Sequence, residues 1–253
     1  MFEPLLTRVR EAEEKEDWFE ERTQRHIDLV NKYARKIADA NIPEVDSEEL
    51  LAQVENHDAS KKEEPERKPY IELTWKHKHD NWDGYKTPGT ISDEEINRAT
   101  LHHITGNSHH PEFWNKEEAN IDPTNRDKSV KCIDASKMPP VAVAEMVADW
   151  AAMSEELGKN TATEWFEKQK DVRWHFSDDQ VDLIYKLLDA VETEEDEVME
   201  ASEQTFVVLR KKNVVVKDAQ EGKELKSKLR ALGIPASVMS YNKGTWKDLE
   251  GAH

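Results

Sequence analysis

The sequence predicts a mainly α-helical bundle followed by a small α+β appendage. Three observations carry that expectation. Apolar residues recur at three-to-four spacing through most of the chain up to about residue 190. Glycine is scarce, with eight in 253 residues. Beyond residue 203 the pattern changes to β-branched runs, and the sign of the charge reverses.

The elements follow in order. Residues 8–40 carry a helical pattern with an acidic start from Glu11 to Glu21. Phe19, Thr23, His26, Val30, Tyr33 and Ile37 fall on one of its faces. Asn41-Ile42-Pro43 stops it. Asp46 or Ser47 caps a second helix, with Glu48 and Glu49 in its first turn. There Leu50, Val54 and His57 share a face, and Leu51, Val54 and Asp58 an adjoining one. Residues 59–69 are polar with two prolines and read as a loop; a helix is expected over 70–79, then a second loop from Asn81 to Ser92. Ser92 and Glu95 form a capping-box pattern for a helix reaching Thr105, with Ile96, Ala99, Thr100 and His103 aligned and Gly106 at its end. Residues 115–137 read as irregular. Pro140 to Leu157 is apolar nearly all round and belongs at the centre of the fold. A last helix follows Ser177, with Val181, Ile184, Leu187, Leu188 and Val191 on its inner face.

Residues 192–203 hold seven acids and no base, the composition of a linker or solvated helix end. TFVVLRKKNVVVK then reads as two strands around Lys212-Asn213, and a helix at 221–232 and a strand at 236–241 complete a β-β-α-β unit. From 205 to 253 ten bases oppose five acids, a net +5 within a chain of formal charge -18, which leaves -23 on the first 204 residues. The organisation expected is a helical arm at 1–19, a helical metal-binding domain at 20–192, an acidic linker at 193–203 and a small module at 204–253.

Composition excludes several classes. Eight Trp, six Phe and five Tyr supply enough apolar bulk for a core, against global disorder. The acidity argues against broad nucleic-acid coating and against binding an anionic membrane surface. One cysteine, Cys132, excludes an intramolecular disulfide and a cysteine-based zinc knuckle. No segment approaches the ~18 apolar residues of a membrane span, and MFEPLLTRVREAEEKED lacks a signal-peptide pattern. The expectation is a cytoplasmic protein, and it leaves ten histidines in so acidic a chain unexplained.

Those histidines point to metal chemistry. Asn56-His57-Asp58-Ala59 sets an imidazole beside a carboxylate at a helix end, the donor pair suited to Zn, Mn, Fe or Ni. A bare His-Asp pair also reads as an ordinary surface helix end. His26 sits on the apolar stripe of its own helix, where a satisfied core histidine is the alternative. Glu145 and Asp149 stand one turn apart in the most apolar helix, where an ionised carboxylate needs a salt bridge or a metal. His103 lies on the inward face of its helix, and His109-His110 follow within a turn. His77, His79, His175 and His253 read as exposed, Trp114 and Trp150 as core, and Arg210-Lys211-Lys212 as a solvated hairpin turn.

The order His26, His57-Asp58, Asp149 resembles the HD-domain superfamily of metal-dependent phosphohydrolases. The continuation through Ser60-Lys61 is similar to its HDxxK form. In more detail NHDASK, TLHHITGNSHHPEFW and MPPVAVAEMVADWAAMS resemble an uncharacterised HD-like family of phage and bacterial proteins, with motifs HDxSK, HHxxxNxHHPExW and MxxxAxxEMxxDWxAM. The match spans about residues 20–190; the basic tail has no counterpart in it. The resemblance implies an HD-like helical bundle. It implies His26, His57, Asp58 and Asp149 as ligands of one metal, and His103 and His110, with His109 as substitute, as ligands of a second. It implies that Lys61 faces a substrate phosphate, and it leaves Glu112 and Glu145 as groups that orient a ligating histidine. The GYP signature of cyclic-di-GMP phosphodiesterases is lacking, so that substrate is not carried over.

The function expected is metal-dependent phosphohydrolysis of a nucleotide or other small phosphate ester, in a bacterium or a phage-infected host. One or two divalent transition ions (Mn, Zn, Ni, Co or Fe) would activate water, with Asp58, Lys61 and Glu145 nearest the chemistry. Two alternatives stand beside it. One is an HD-fold di-iron oxygenase. The other is a non-catalytic, metal-stabilised regulator that docks a protein partner through its acidic 11–21 face or its basic tail.

Overall fold

The structure is a computed structural model that describes residues 3–79, 87–122 and 128–193, then 204–209, 213–216, 236–242 and 245–248, with Leu225 and Lys228. The chain divides into two compact units, 1–194 and 195–253.

The first unit is helical. Helix α1 runs unbroken from Glu3 to Asp39 and buries Phe19, Thr23, His26, Val30, Ala34 and Ile37 along one stripe. It packs on α2 (Ser47–Val54), α3 (Arg67–His79), α6 (Pro140–Leu157) and α8 (Asp178–Glu192). Asp46 caps α2, accepting from the Glu48 and Glu49 N–H groups at 3.0 Å each. Reciprocal capping boxes start α4 (Asp93–Gly106) at Ser92 and α8 at Ser177. Helix α6 is the central element, as its all-round apolarity requires: eleven of its residues are buried, from Val141 to Ala152. Each large aliphatic side chain buried here contributes about 1.5–3 kcal/mol of hydrophobic stabilisation. Gly158, at φ 60°, closes α6 in the left-handed conformation that glycine adopts at little cost.

Three features of this unit were not among the expectations. A single turn, α5 (Pro111–Trp114), follows His110, which serves as its N-cap. Helix α7 (Ala162–Gln169) begins with a capping box between Thr161 and Glu164. Two residues on each side, β1 (Ile133–Asp134) and β2 (Trp174–His175), pair in parallel. That pairing draws segment 128–135 onto the bundle, where Ile133 and Ala135 are fully buried. The helix expected at 70 begins at Arg67, because a short 3-10 turn at Ala59–Lys62 and a bend replace only the first part of the loop.

The second unit contains a four-stranded antiparallel sheet of order β4-β3-β5-β6, with β3 Gln204–Leu209, β4 Asn213–Val216, β5 Ala236–Asn242 and β6 Thr245–Asp248. The fourth strand goes beyond the β-β-α-β expectation. Its register pairs Asn242 with Thr245 and Tyr241 with Trp246. The expected helix at 221–232 lies outside the described residues except for Leu225 and Lys228, which are helical. Arg210-Lys211-Lys212, His253 and residues 194–203 also lie outside them. No helix among the described residues is long and apolar enough to cross a membrane.

Candidate metal centre

The centre is built around the end of α2. The helix stops at Val54, and tightened turns follow: the His57 N–H reaches the Val54 carbonyl at 3.1 Å and the Asn56 N–H reaches Gln53 at 3.2 Å. Asp58 then takes the left-handed conformation (φ 58°, ψ 16°). Such a conformation costs a non-glycine residue on the order of 1–2 kcal/mol, least for Asp and Asn. The pair therefore sits on a turn beyond the helix rather than on the helix itself. The reversal drives the Asp58 carboxylate inward until the residue is 1% exposed.

Four histidines aim Nε2 at this carboxylate from three directions. His26 on α1 lies 3.7 Å from Asp58 Oδ2, and His57 lies 3.6 Å from the same oxygen. His103 on α4 and His109 lie 3.3 Å and 3.7 Å from the other oxygen, Oδ1. Asp149 on α6 adds Oδ1 at 3.1 Å from His26 Nε2 and 3.9 Å from His57 Nε2. His110 packs beside His109 and His103, tilted against the first and edge-on to the second, with ring centroids 4.3 Å and 4.9 Å away. In three groups one ligand atom from each residue lies within 4.8 Å of the others: His26, His57 and Asp149; His57, Asp58 and His109; and His103, His109 and His110. The sequence places these residues on α1, the turn after α2, α4, the turn before α5, and α6, and the bundle closes them into one cluster.

A family model described as a family of unknown function (DUF5662) matches residues 15–190. The chain belongs to this family. Comparison with curated proteins gives no match, and comparison with solved structures gives none either. In this DUF5662 chain the matched span contains every residue of the cluster.

A glutamate stands at the Nδ1 side of four of the rings and hydrogen-bonds two of them, His57 and His103. Glu145 Oε1 lies 2.9 Å from His57 Nδ1 and 3.5 Å from His109 Nδ1. Glu66 Oε2 lies 2.9 Å from His103 Nδ1, and Glu156 Oε2 lies 3.5 Å from His26 Nδ1. A carboxylate at Nδ1 fixes the tautomer that leaves Nε2 as the donor, the arrangement found behind metal-bound histidines. Gln53 donates to the other oxygen of Glu145, and Ser60 donates to Glu66 at 3.0 Å. The alternative of an Arg or Lys salt bridge for Glu145 is not what the fold uses; its partners are His57, His109 and Gln53.

Glu112 does something else. Its Oε1 accepts from Arg173 Nε at 3.3 Å, Arg173 Nη2 at 3.1 Å and Trp174 Nε1 at 3.0 Å. The expectation that Glu112 orients a histidine is thereby corrected: it anchors β2 instead. Glu66, Glu156 and Gln53 were not anticipated. Glu66 stood in a polar stretch read as a loop, and the cue available was only its place five residues after Lys61. His77 also departs from expectation, since it is half-buried and lines the cavity described below. His79 and His175 are exposed, and Trp150 is core, stacked between Phe166 and Trp174 with centroids 5.9 Å from each. Trp114 is partly buried against the same core.

The electrostatics prepare most of the donors for a cation. Burial pushes the Asp58 carboxyl up, but the charges of Lys61, His57, His103 and His109 outweigh it and hold it well below the usual range. Burial opposes the ionisation of Asp149 too, yet His26 and His57 bring it to about 2. Burial keeps His57 below the ordinary imidazole value, and burial with His109 and His103 pushes His110 well below it. His26 and His109 are the exceptions: burial lowers both, but Asp149 and Glu156 prevail at His26 and raise it to about 9, and Glu145 with Asp58 and Asp149 raises His109.

The residues fit a metal. His57 Nε2, Asp58 Oδ1 and His110 Nε2 are buried without a hydrogen-bond partner. Each such atom costs on the order of 1–3 kcal/mol. All three belong to the cluster, and imidazole nitrogen with carboxylate oxygen is the donor chemistry of Zn, Mn, Fe, Co and Ni. Lys61 Nζ contacts Asp58 Oδ2, placing the one ammonium of the HDxxK segment on the carboxylate at the middle of the cluster. A cavity of about 440 Å³ opens onto Asp58, Lys61, His103 and Asp149.

Proposed function

We propose that this chain is a metal-dependent phosphohydrolase on an HD-like helical scaffold, acting on a nucleotide or another small phosphate ester. One observation carries the reading. Asp58 stands between the donor groups, its two oxygens facing different pairs of histidines, and a cavity with a lysine on its wall opens onto it.

His26, His57, Asp58 and Asp149 would hold one ion, and His103, His109 and His110 with Asp58 a second. When bound, a divalent ion supplies water acidified toward a pKa of ~7 and offsets phosphate charge. Glu145 and Glu66 keep the imidazoles oriented by accepting at Nδ1. Lys61 carries a flexible ammonium at the cavity wall, within the same space as an incoming phosphate. The acidic chain can therefore take an anion, because charge is reversed locally.

The test is direct. Protein purified without chelator is analysed for metal and assayed with Mn, Co or Ni on nucleotides and an aryl phosphate. Hydrolysis that His57→Ala abolishes supports the reading. Inactivity across the panel, with His57→Ala indistinguishable from the parent, contradicts it.

A second reading, a di-iron oxygenase, is favoured by the count of seven His and Asp donors, Asp58 and six around it. Bound iron with visible-range absorption distinguishes it from the first.

A further inference from the structure

Two arginines line the cavity, and each is fixed by a glutamate. Arg22 sits one helical turn before His26 on α1. Its Nε donates to Glu156 Oε1 at 2.9 Å, and Glu156 Oε2 faces His26 Nδ1. Arg173 directs Nε and Nη2 to a single oxygen of Glu112, which is fully buried. The two Nη groups of Arg22 and Nη1 of Arg173 donate no hydrogen bond to the described residues.

The two arginines belong to different ends of the cluster. Arg22 is linked through Glu156 to His26, in the group with His57 and Asp149. Arg173 is tied through Glu112 to the turn that His110 caps, beside the group of His103, His109 and His110. A planar guanidinium held along one edge presents the other edge as a fork, the geometry that matches phosphate oxygens. Its side-chain entropy has already been lost to the glutamate, so less is lost on binding an anion.

We propose that Arg22 and Arg173 bind two separate anionic groups of one substrate, so that the ester processed here carries a second phosphate or equivalent anion besides the one at the metal centre. This deepens the phosphohydrolase reading and rests on it. Lys61 and the arginine at one end serve the phosphate that reacts, and the arginine at the other end holds the second anion, so the pair fixes the distance between the two.

The experiment titrates the metal-loaded full chain calorimetrically with propyl phosphate and with the bisphosphates of ethanediol, propanediol and butanediol. At least one bisphosphate is expected to bind about tenfold or more tighter than propyl phosphate. Arg22→Gln and Arg173→Gln are each expected to remove most of that advantage while propyl phosphate still binds. Arg173→Lys, which keeps a cation beside Glu112 but loses the fork, gives the same answer if Arg173→Gln does not fold. Bisphosphates that bind no tighter than propyl phosphate overturn the inference, as does an advantage that survives in these variants. A metal-loaded protein that binds neither class of ester overturns the phosphohydrolase reading itself.

Discussion

The carboxylate of Glu66 lies 2.9 Å from Nδ1 of His103, on the side of the ring away from Asp58, whose Oδ1 is 3.3 Å from Nε2. Glu66 is fully buried and also reaches His102 at 2.7 Å. One carboxylate thus orients the ring that carries the α4 side of the cluster.

Glu66→Ala is therefore expected to weaken metal binding at the His103, His109 and His110 group by roughly 10–100-fold, the usual cost of losing such a partner. Glu66→Gln, whose carbonyl still accepts from Nδ1, should lose less. Calorimetric titration with Mn or Zn checks both, and equal affinity in all three proteins contradicts the assignment.

Asp58→Asn tests the shared ligand. Asn tolerates the left-handed backbone of this position, so the fold should persist. Metal content is expected to fall, because the side chain between the two pairs of histidines loses its charge and one of its two oxygens. Elemental analysis with far-ultraviolet circular dichroism separates loss of metal from loss of structure.

The pH dependence follows from His26. Its folded pKa of about 9 exceeds the ordinary 6.5. In protein stripped of metal, the stability it contributes is complete below about pH 6.5 and lost as pH rises through about 9. Asp149 has the opposite sign: lowered from 3.8 to about 2, it contributes above about pH 4 and loses that contribution only as pH falls toward 2. Thermal melts should show the first loss between about pH 6.5 and 9. A ligating histidine must be neutral, so metal uptake at pH 7 should release a proton and tighten toward pH 9. Titration in buffers of different ionisation enthalpy measures that proton.

Phe166 provides a control away from the metal. It is fully buried against Trp150, so Phe166→Ala should cost about 3–5 kcal/mol of stability. Metal stoichiometry should be unchanged in the fraction that remains folded, as read by denaturant melts and elemental analysis.

Most helices were legible because their signals are local. The Ser92 and Ser177 caps and the stripe from Phe19 to Ile37 are written in neighbouring residues, and α6 announces its burial by composition. Helix α7 carries an equally local signal, Thr161 with Glu164, but its eight residues are too few to show a clear periodicity. The β1–β2 pair could not be read, since two-residue strands have no periodicity and form only when the bundle brings Ile133 to Trp174. The donor residues were visible as His and Asp in apolar settings. Their supporting glutamates were not, because Glu66 and Glu156 look like ordinary surface charges until folding buries one and half-buries the other. Glu112 shows the limit of motif reasoning: its position suggested a histidine partner, and Arg173, distant in sequence, claimed it.

The central claim is that the cluster around Asp58 holds divalent metal. Elemental analysis of protein purified without chelator, beside a His57→Ala, Asp58→Ala double variant, tests it most directly. The account predicts one or two transition ions per chain in the parent and none in the folded variant. A metal-free parent that also fails to take up Mn, Zn, Fe, Co or Ni on titration would contradict it.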